Sequence, residues 1–136
     1  MMKILFRDVW NPTSLEIREW AYSNEKIPDQ DWELAVNSYE NIPMICTFIE
    51  DEKCCHTVFF LSSLYVFTGD IVRSNDVKEI EKLSVLLSKL EIRAKSDKLK
   101  GWINRSKHLL QHPKSYDYAY WGLSSKYVYS TNWRVS

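Results

Sequence analysis

Val58-Phe59-Phe60-Leu61-Ser62-Ser63-Leu64-Tyr65-Val66-Phe67-Thr68-Gly69-Asp70-Ile71-Val72 decides how this chain folds. Val58, Leu61, Leu64, Tyr65, Thr68 and Val72 recur at helical spacing and form one stripe. Phe59, Phe60, Val66 and Phe67 make the segment apolar nearly all round, which predicts a helix in the centre of the fold, running from Cys54 to Ser74. The run from Val58 to Phe67 is ten residues long, well short of the ~20 needed to cross a bilayer. Gly69 reads as a place where a neighbour packs closely, or as a kink.

On the N-terminal side, Met2 to Val9 reads as an extended lead-in or strand. Asn11-Pro12 reads as an N-cap with proline at the first helical position, opening a helix to about Asn24. Lys26-Ile27-Pro28 breaks it. Asp29 is the expected N-cap of a second helix, Gln30 to Tyr39, with Trp32, Leu34, Ala35 and Val36 as its apolar face. Asn41 and Pro43 open a third, short helix carrying Met44, Ile45, Phe48 and Ile49. It ends in Glu50-Asp51-Glu52, and acid at a helix C-terminus opposes the macrodipole. Such a locally unfavourable choice hints at use elsewhere.

On the C-terminal side, Ser74-Asn75-Asp76 is a break with capping chemistry. Val77 to Lys95 is an amphipathic helix, with Val77, Ile80, Leu83, Leu86, Leu87 and Leu90 facing inward. Ser96-Asp97 caps another helix, Lys98 to about Gln111, with Leu99, Trp102, Ile103, Leu109 and Leu110 inside and Lys98, Lys100, Arg105 and Lys107 outside. Pro113 stops it. Tyr116 to Tyr120 reads as one short helical turn, and the chain from Trp121-Gly122 as irregular and docked through its aromatics. The expected architecture is all-α: a single-domain bundle of about six helices spanning residues 1–136.

Composition agrees. The 136 residues include only three glycines and four prolines, too few for the many turns of a sandwich or barrel. Six tryptophans and eight tyrosines suit an aromatic core or an interface. The opening Met1-Met2-Lys3-Ile4-Leu5-Phe6 runs at once into Arg7-Asp8, which gives no signal-peptide pattern and leads to the expectation of a cytoplasmic protein. Cys46, Cys54 and Cys55 are odd in number and fit reduced thiols there. Net charge is zero but uneven. Residues 1–56 carry five basic and eleven acidic side chains, and residues 57–136 carry thirteen basic and seven acidic. Such asymmetry suggests a charged partner, mutual attraction of the halves, or simple solvation.

The chemistry-bearing residues form no catalytic, metal or cofactor motif. Cys54-Cys55-His56 lacks the paired spacing and second pair of a zinc site. His108 and His112 share a helix face, but Leu109, Leu110 and Gln111 between them supply no catalytic glutamate. Asp29 and Asp31 flank Gln30, where paired carboxylates could do acid–base work or simply favour a helix start. The basic residues from Lys89 to Lys107 read as a phosphate-binding face or a solvated one, interrupted by Glu91 and Asp97.

Several phrases together carry a resemblance. They are Pro28-Asp29-Gln30-Asp31-Trp32-Glu33-Leu34-Ala35, then Phe59-Phe60-Leu61-Ser62-Ser63-Leu64-Tyr65 leading to Gly69-Asp70-Ile71-Val72-Arg73. Trp102-Ile103-Asn104-Arg105-Ser106 and Pro113-Lys114-Ser115-Tyr116-Asp117-Tyr118-Ala119-Tyr120-Trp121-Gly122 complete the set. The combination, which covers most of the chain from Pro28 onward, resembles immunity proteins of bacterial contact-dependent growth inhibition systems, encoded beside polymorphic toxins. The resemblance implies a cytoplasmic antidote that binds the C-terminal toxin domain of a large exported effector, often a nuclease, with no catalytic residues, no cofactor, no membrane contact and no direct nucleic-acid contact. Nuclease domains tend to be basic, so an acidic patch would speed capture. Asp29, Asp31, Glu50, Asp51 and Glu52 are the expected contacts, with Trp32 or Tyr39 as an aromatic anchor. The zero net charge departs from the strongly acidic members of that group. The alternative is a small nucleic-acid-binding regulator using the 89–107 face.

Overall fold

The computed structural model describes residues 6–116 and Trp121. Among these residues the fold is all-α, with six helices, one 3-10 turn and no strand. The helices are α1 (Ser14–Ala21), α2 (Glu33–Val36), α3 (Ile42–Ile49), α4 (Thr57–Ser74), α5 (Val77–Arg93) and α6 (Asp97–Gln111). The 3-10 turn is Pro113–Ser115. The expected lead-in is irregular from Phe6 to Val9, with bends and turns. The rest of it, like residues 117–120 and 122–136 of the expected terminal turn and tail, lies outside the described residues.

α4 is the axis. It packs against α2, α3, α5 and α6, and α5 and α6 pack on each other. Phe60, Leu61, Leu64, Tyr65, Thr68, Gly69, Ile71 and Val72 of α4 are all buried, as an all-round apolar helix demands. Its start falls three residues later than expected, because Cys54 and Cys55 serve α1 instead. The Cys55 N–H and the Cys54 thiol both donate to the Ala21 carbonyl, at 2.9 and 3.3 Å.

Local chemistry sets the other boundaries. α1 opens at Thr13 rather than Asn11: the Thr13 hydroxyl accepts from Glu16 N (3.1 Å) and the Glu16 carboxylate accepts from Thr13 N (2.8 Å), a reciprocal capping box. Asp76 caps α5 by accepting from Lys78 N and Glu79 N, and Ser96 caps α6 by accepting from Leu99 N. Between α4 and α5, Asn75 takes the left-handed conformation (φ 54°), which asparagine tolerates better than most residues. Val77 is 73% exposed rather than inward, because the first residue of α5 precedes the buried stripe Leu83, Leu87 and Leu90.

An aromatic cluster closes the N-terminal end of the core. Trp20 packs edge-on against Trp32, Phe59 and Phe60 and stacks on His56 with ring centroids 3.7 Å apart. Burial holds the His56 imidazole below its ordinary pKa of 6.5, opposed by a hydrogen bond to the Ser23 backbone. Its Nε2 is buried without a hydrogen-bond partner among the described residues. In the window just below pH 6.5 the unfolded chain therefore binds more protons at this site than the folded one, so stability falls as pH falls. The urea midpoint is expected to drop between about pH 7.5 and 5.5, and His56→Phe, which keeps the stack, should flatten that slope. An unchanged slope in the variant would assign the effect to other groups.

Candidate functional site

The acidic segment between α1 and α3 is built by two buried tryptophans. Trp20 Nε1 donates to the Lys26 carbonyl (3.1 Å) and Trp32 Nε1 to the Val9 carbonyl (2.8 Å). Both rings are buried, so Trp32 serves the core and not a free surface. The backbone between them is pinned, and Ile27, Asp29, Gln30, Asp31 and Leu34 are left exposed. The expected helix from Gln30 to Tyr39 shrinks to a single turn, Glu33–Val36. The reason is local. The Asp29 carboxylate accepts from the adjacent Gln30 N–H (2.7 Å), not from an N–H two or three residues on, as a cap would. Successive turns follow, with Trp32 N bonded to Asp29 O and Leu34 N to Asp31 O. At the far end Asn37 turns extended and its amide donates to the Ser63 carbonyl of α4 (3.0 Å). Leu34, expected in the core, is 59% exposed.

Across from this segment lies Asp70 of α4. Burial pushes the Glu33 carboxyl above its usual range, and the charges of Asp31 and Asp70 add to the push. Burial also raises Asp70, against the relieving charge of Arg73. Asp31, Glu33 and Asp70 thus share one electrostatic neighbourhood. The Asp31 carboxylate has no hydrogen-bond or ion-pair partner among the described residues. Asp70 was missed by sequence reasoning because its neighbour Glu33 is far away along the chain, and only the packing of α2 on α4 joins them.

The acidic triplet after α3 has a different character. Glu50 Oε2 accepts from the backbone N–H groups of Lys95 and Ser96, both at 2.6 Å. This ties the end of α3 to the α5–α6 connection and explains an acid placed against the α3 macrodipole. Asp51 accepts from the Tyr22 hydroxyl (2.7 Å) and Lys53 N (2.9 Å). Those bonds hold its carboxyl below the usual range, and the same contact pushes the Tyr22 phenol up to about 12. Glu52 is exposed, with no side-chain partner among the described residues. All three line a cleft of about 320 Å³ with Cys54, Thr57 and Lys98. The five expected contacts therefore form two groups. Glu50 and Asp51 already have internal partners, and no described hydrogen bond, ion pair or cleft links the triplet to Asp29 and Asp31. Glu50→Ala is expected to cost about 1 kcal/mol, below the usual range for charge-assisted bonds because the carboxylate is exposed. Thermal melts compared with Glu52→Ala, expected to be neutral, would check it.

The basic 89–107 face is thinner than its sequence suggests. Arg105, expected outside, is 3% exposed. It lies three residues after Trp102 and four before Leu109, on the inward stripe of α6. Lys107 is paired with Glu91 at 2.8 Å. His108 and His112 face one another with ring centroids 4.8 Å apart, and both are exposed. Among the described residues no three His, Cys, Asp or Glu side chains come together as a metal-binding group, and no helix is long and apolar enough to cross a membrane. Compared with protein-family models, curated proteins and solved structures, the chain matches none.

Proposed function

We propose that this domain is an intracellular bacterial antidote that binds and neutralises a cognate toxin domain, a basic nuclease being the partner its charge fits best. The observation that supports the reading is the pinned segment 27–34. It presents Asp29 and Asp31 beside exposed Ile27 and Leu34, while its backbone is fastened at both ends by buried tryptophans. A surface held in one shape loses little freedom on binding. Apolar side chains at its edge supply burial, and carboxylates supply steering and register toward a cationic partner. Glu33 and Asp70 extend the negative field behind it. Within this reading Asp29 and Asp31 are the primary contacts. Glu52 is the member of the triplet without a side-chain partner among the described residues, and Glu50 and Asp51 shape the fold.

The test is titration against the polypeptide encoded beside this one, together with rescue of cells expressing that polypeptide. A 1:1 complex of nanomolar affinity is expected. Asp29→Lys with Asp31→Lys should weaken it on the order of 10- to 100-fold, mainly by slowing association, with a loss that shrinks at high salt. Tight binding unmoved by that double reversal keeps the function and displaces the surface. A neighbour that is neither toxic nor bound removes the reading.

A further inference from the structure

We propose that the groove where α1, α3, α5 and the start of α6 meet is a docking site for an acidic, amphipathic segment of a partner protein. The groove has a volume of about 710 Å³ and shares no residue with the Asp29–Leu34 surface. The inference therefore stands apart from the toxin-neutralising reading. Its floor is apolar, made by Met44, Leu90 and Leu99. Its edge carries Ile92, which is 86% exposed. A largely solvated isoleucine at the lip of an apolar groove is a ready contact for a second apolar surface, and methionine in the floor lets the groove adapt to what it receives.

Charge selects the occupant. Arg18, Arg93 and Lys95 all line the groove, and none of them forms an ion pair among the described residues. The one carboxylate in the lining, Glu50, is held by the backbone N–H groups of Lys95 and Ser96 and keeps its charge, so three cations against one anion leave the lining with a net charge of +2. A net positive lining, whose three cations form no ion pair among the described residues, matches a segment that carries apolar residues on one face and carboxylates beside them. The concave form favours such a segment over an anionic bilayer, whose flat surface cannot reach the floor.

The probe is a fluorescein-labelled peptide of about three helical turns with leucine on one face and glutamate on the other, read by anisotropy against the full chain. A control peptide has every glutamate replaced by glutamine. The acidic peptide is expected to bind with a dissociation constant on the order of 10–100 μM, at least about tenfold tighter than the control. Arg18→Glu combined with Arg93→Glu should weaken it about tenfold or more, and Ile92→Ser should weaken it severalfold at unchanged charge. Lys98→Glu with Lys100→Glu, equal in charge but outside this groove, should leave it unchanged. Equal binding of the two peptides overturns the proposal, as does equal loss from the Lys98/Lys100 pair or no binding up to about 1 mM. Binding to phosphatidylglycerol vesicles without binding to the peptide also overturns it, in favour of a membrane surface.

Discussion

Trp102→Ala is expected to destabilise the fold by about 3–5 kcal/mol, the range for removing a buried tryptophan. Trp102 is wholly buried on α6 and faces α4. Its indole N–H donates to the Leu64 carbonyl at 2.9 Å and to the Thr68 hydroxyl at 3.1 Å. Thr68 in turn shares a 2.9 Å hydrogen bond with Ser106. One side chain therefore fills the α4–α6 interface and also satisfies a buried polar chain across it. Alanine leaves a cavity and removes the donor for Thr68 and Leu64. Because a domain of this size has a total stability of only about 5–15 kcal/mol, the variant should unfold at a sharply lower urea concentration. Trp102→Phe separates the two parts: it keeps most of the apolar volume and loses the N–H, for about 1–2 kcal/mol. Urea titrations followed by far-UV circular dichroism check both. An alanine variant within 1 kcal/mol of wild type would mean that α6 is held to α4 by other contacts.

How far the sequence reads through to this fold depends on how local the deciding interaction is. α4, α5 and α6 are legible because their signals lie within one or two turns: the all-round apolar run, the Leu83-Leu87-Leu90 stripe, and the caps Asp76 and Ser96. The α1 cap is also local, since Thr13-x-x-Glu16 is a capping-box pattern, and the Asn11-Pro12 signal simply competed with it. α2 is shortened by forces from outside the segment, chiefly the bond from Trp32 to Val9 and that from Asn37 to Ser63 of α4. The same division runs through the candidate site. Exposure of Asp29 and Asp31 follows from the segment itself. Nothing near Glu50 in sequence announces that its carboxylate receives the N–H groups of Lys95 and Ser96. Nor does anything near Asp70 announce Glu33. Arg105 is a different failure, because its position on the α6 stripe was readable from period alone. Its charge argued the other way, and packing prevailed.

Gly69→Leu is expected to cost about 3 kcal/mol, at the upper end of overpacking, and to drive Trp121 from its seat. A Cβ at Gly69 would stand 2.9 Å from Trp121 Cδ1 and 3.1 Å from its Nε1, closer than carbon atoms approach without something moving. Trp121 cannot easily give way: it is buried, and its indole N–H donates to the Tyr65 carbonyl at 2.6 Å, one turn before Gly69. Of the two sequence readings of Gly69, close packing of a neighbour is the one the structure fills. Gly69→Ala sets the scale, since its steric penalty is partly offset by about 1 kcal/mol of helix propensity, and it should fall within about 1–2 kcal/mol of wild type. Leucine has no such refuge, because its branch would occupy the volume of the indole. If the clash with Trp121 is the cause, Gly69→Leu added to Trp121→Ala should cost much less than the sum of the two. Additive losses in that double-mutant cycle would place the strain within α4 itself rather than at the contact that holds residue 121 to the core.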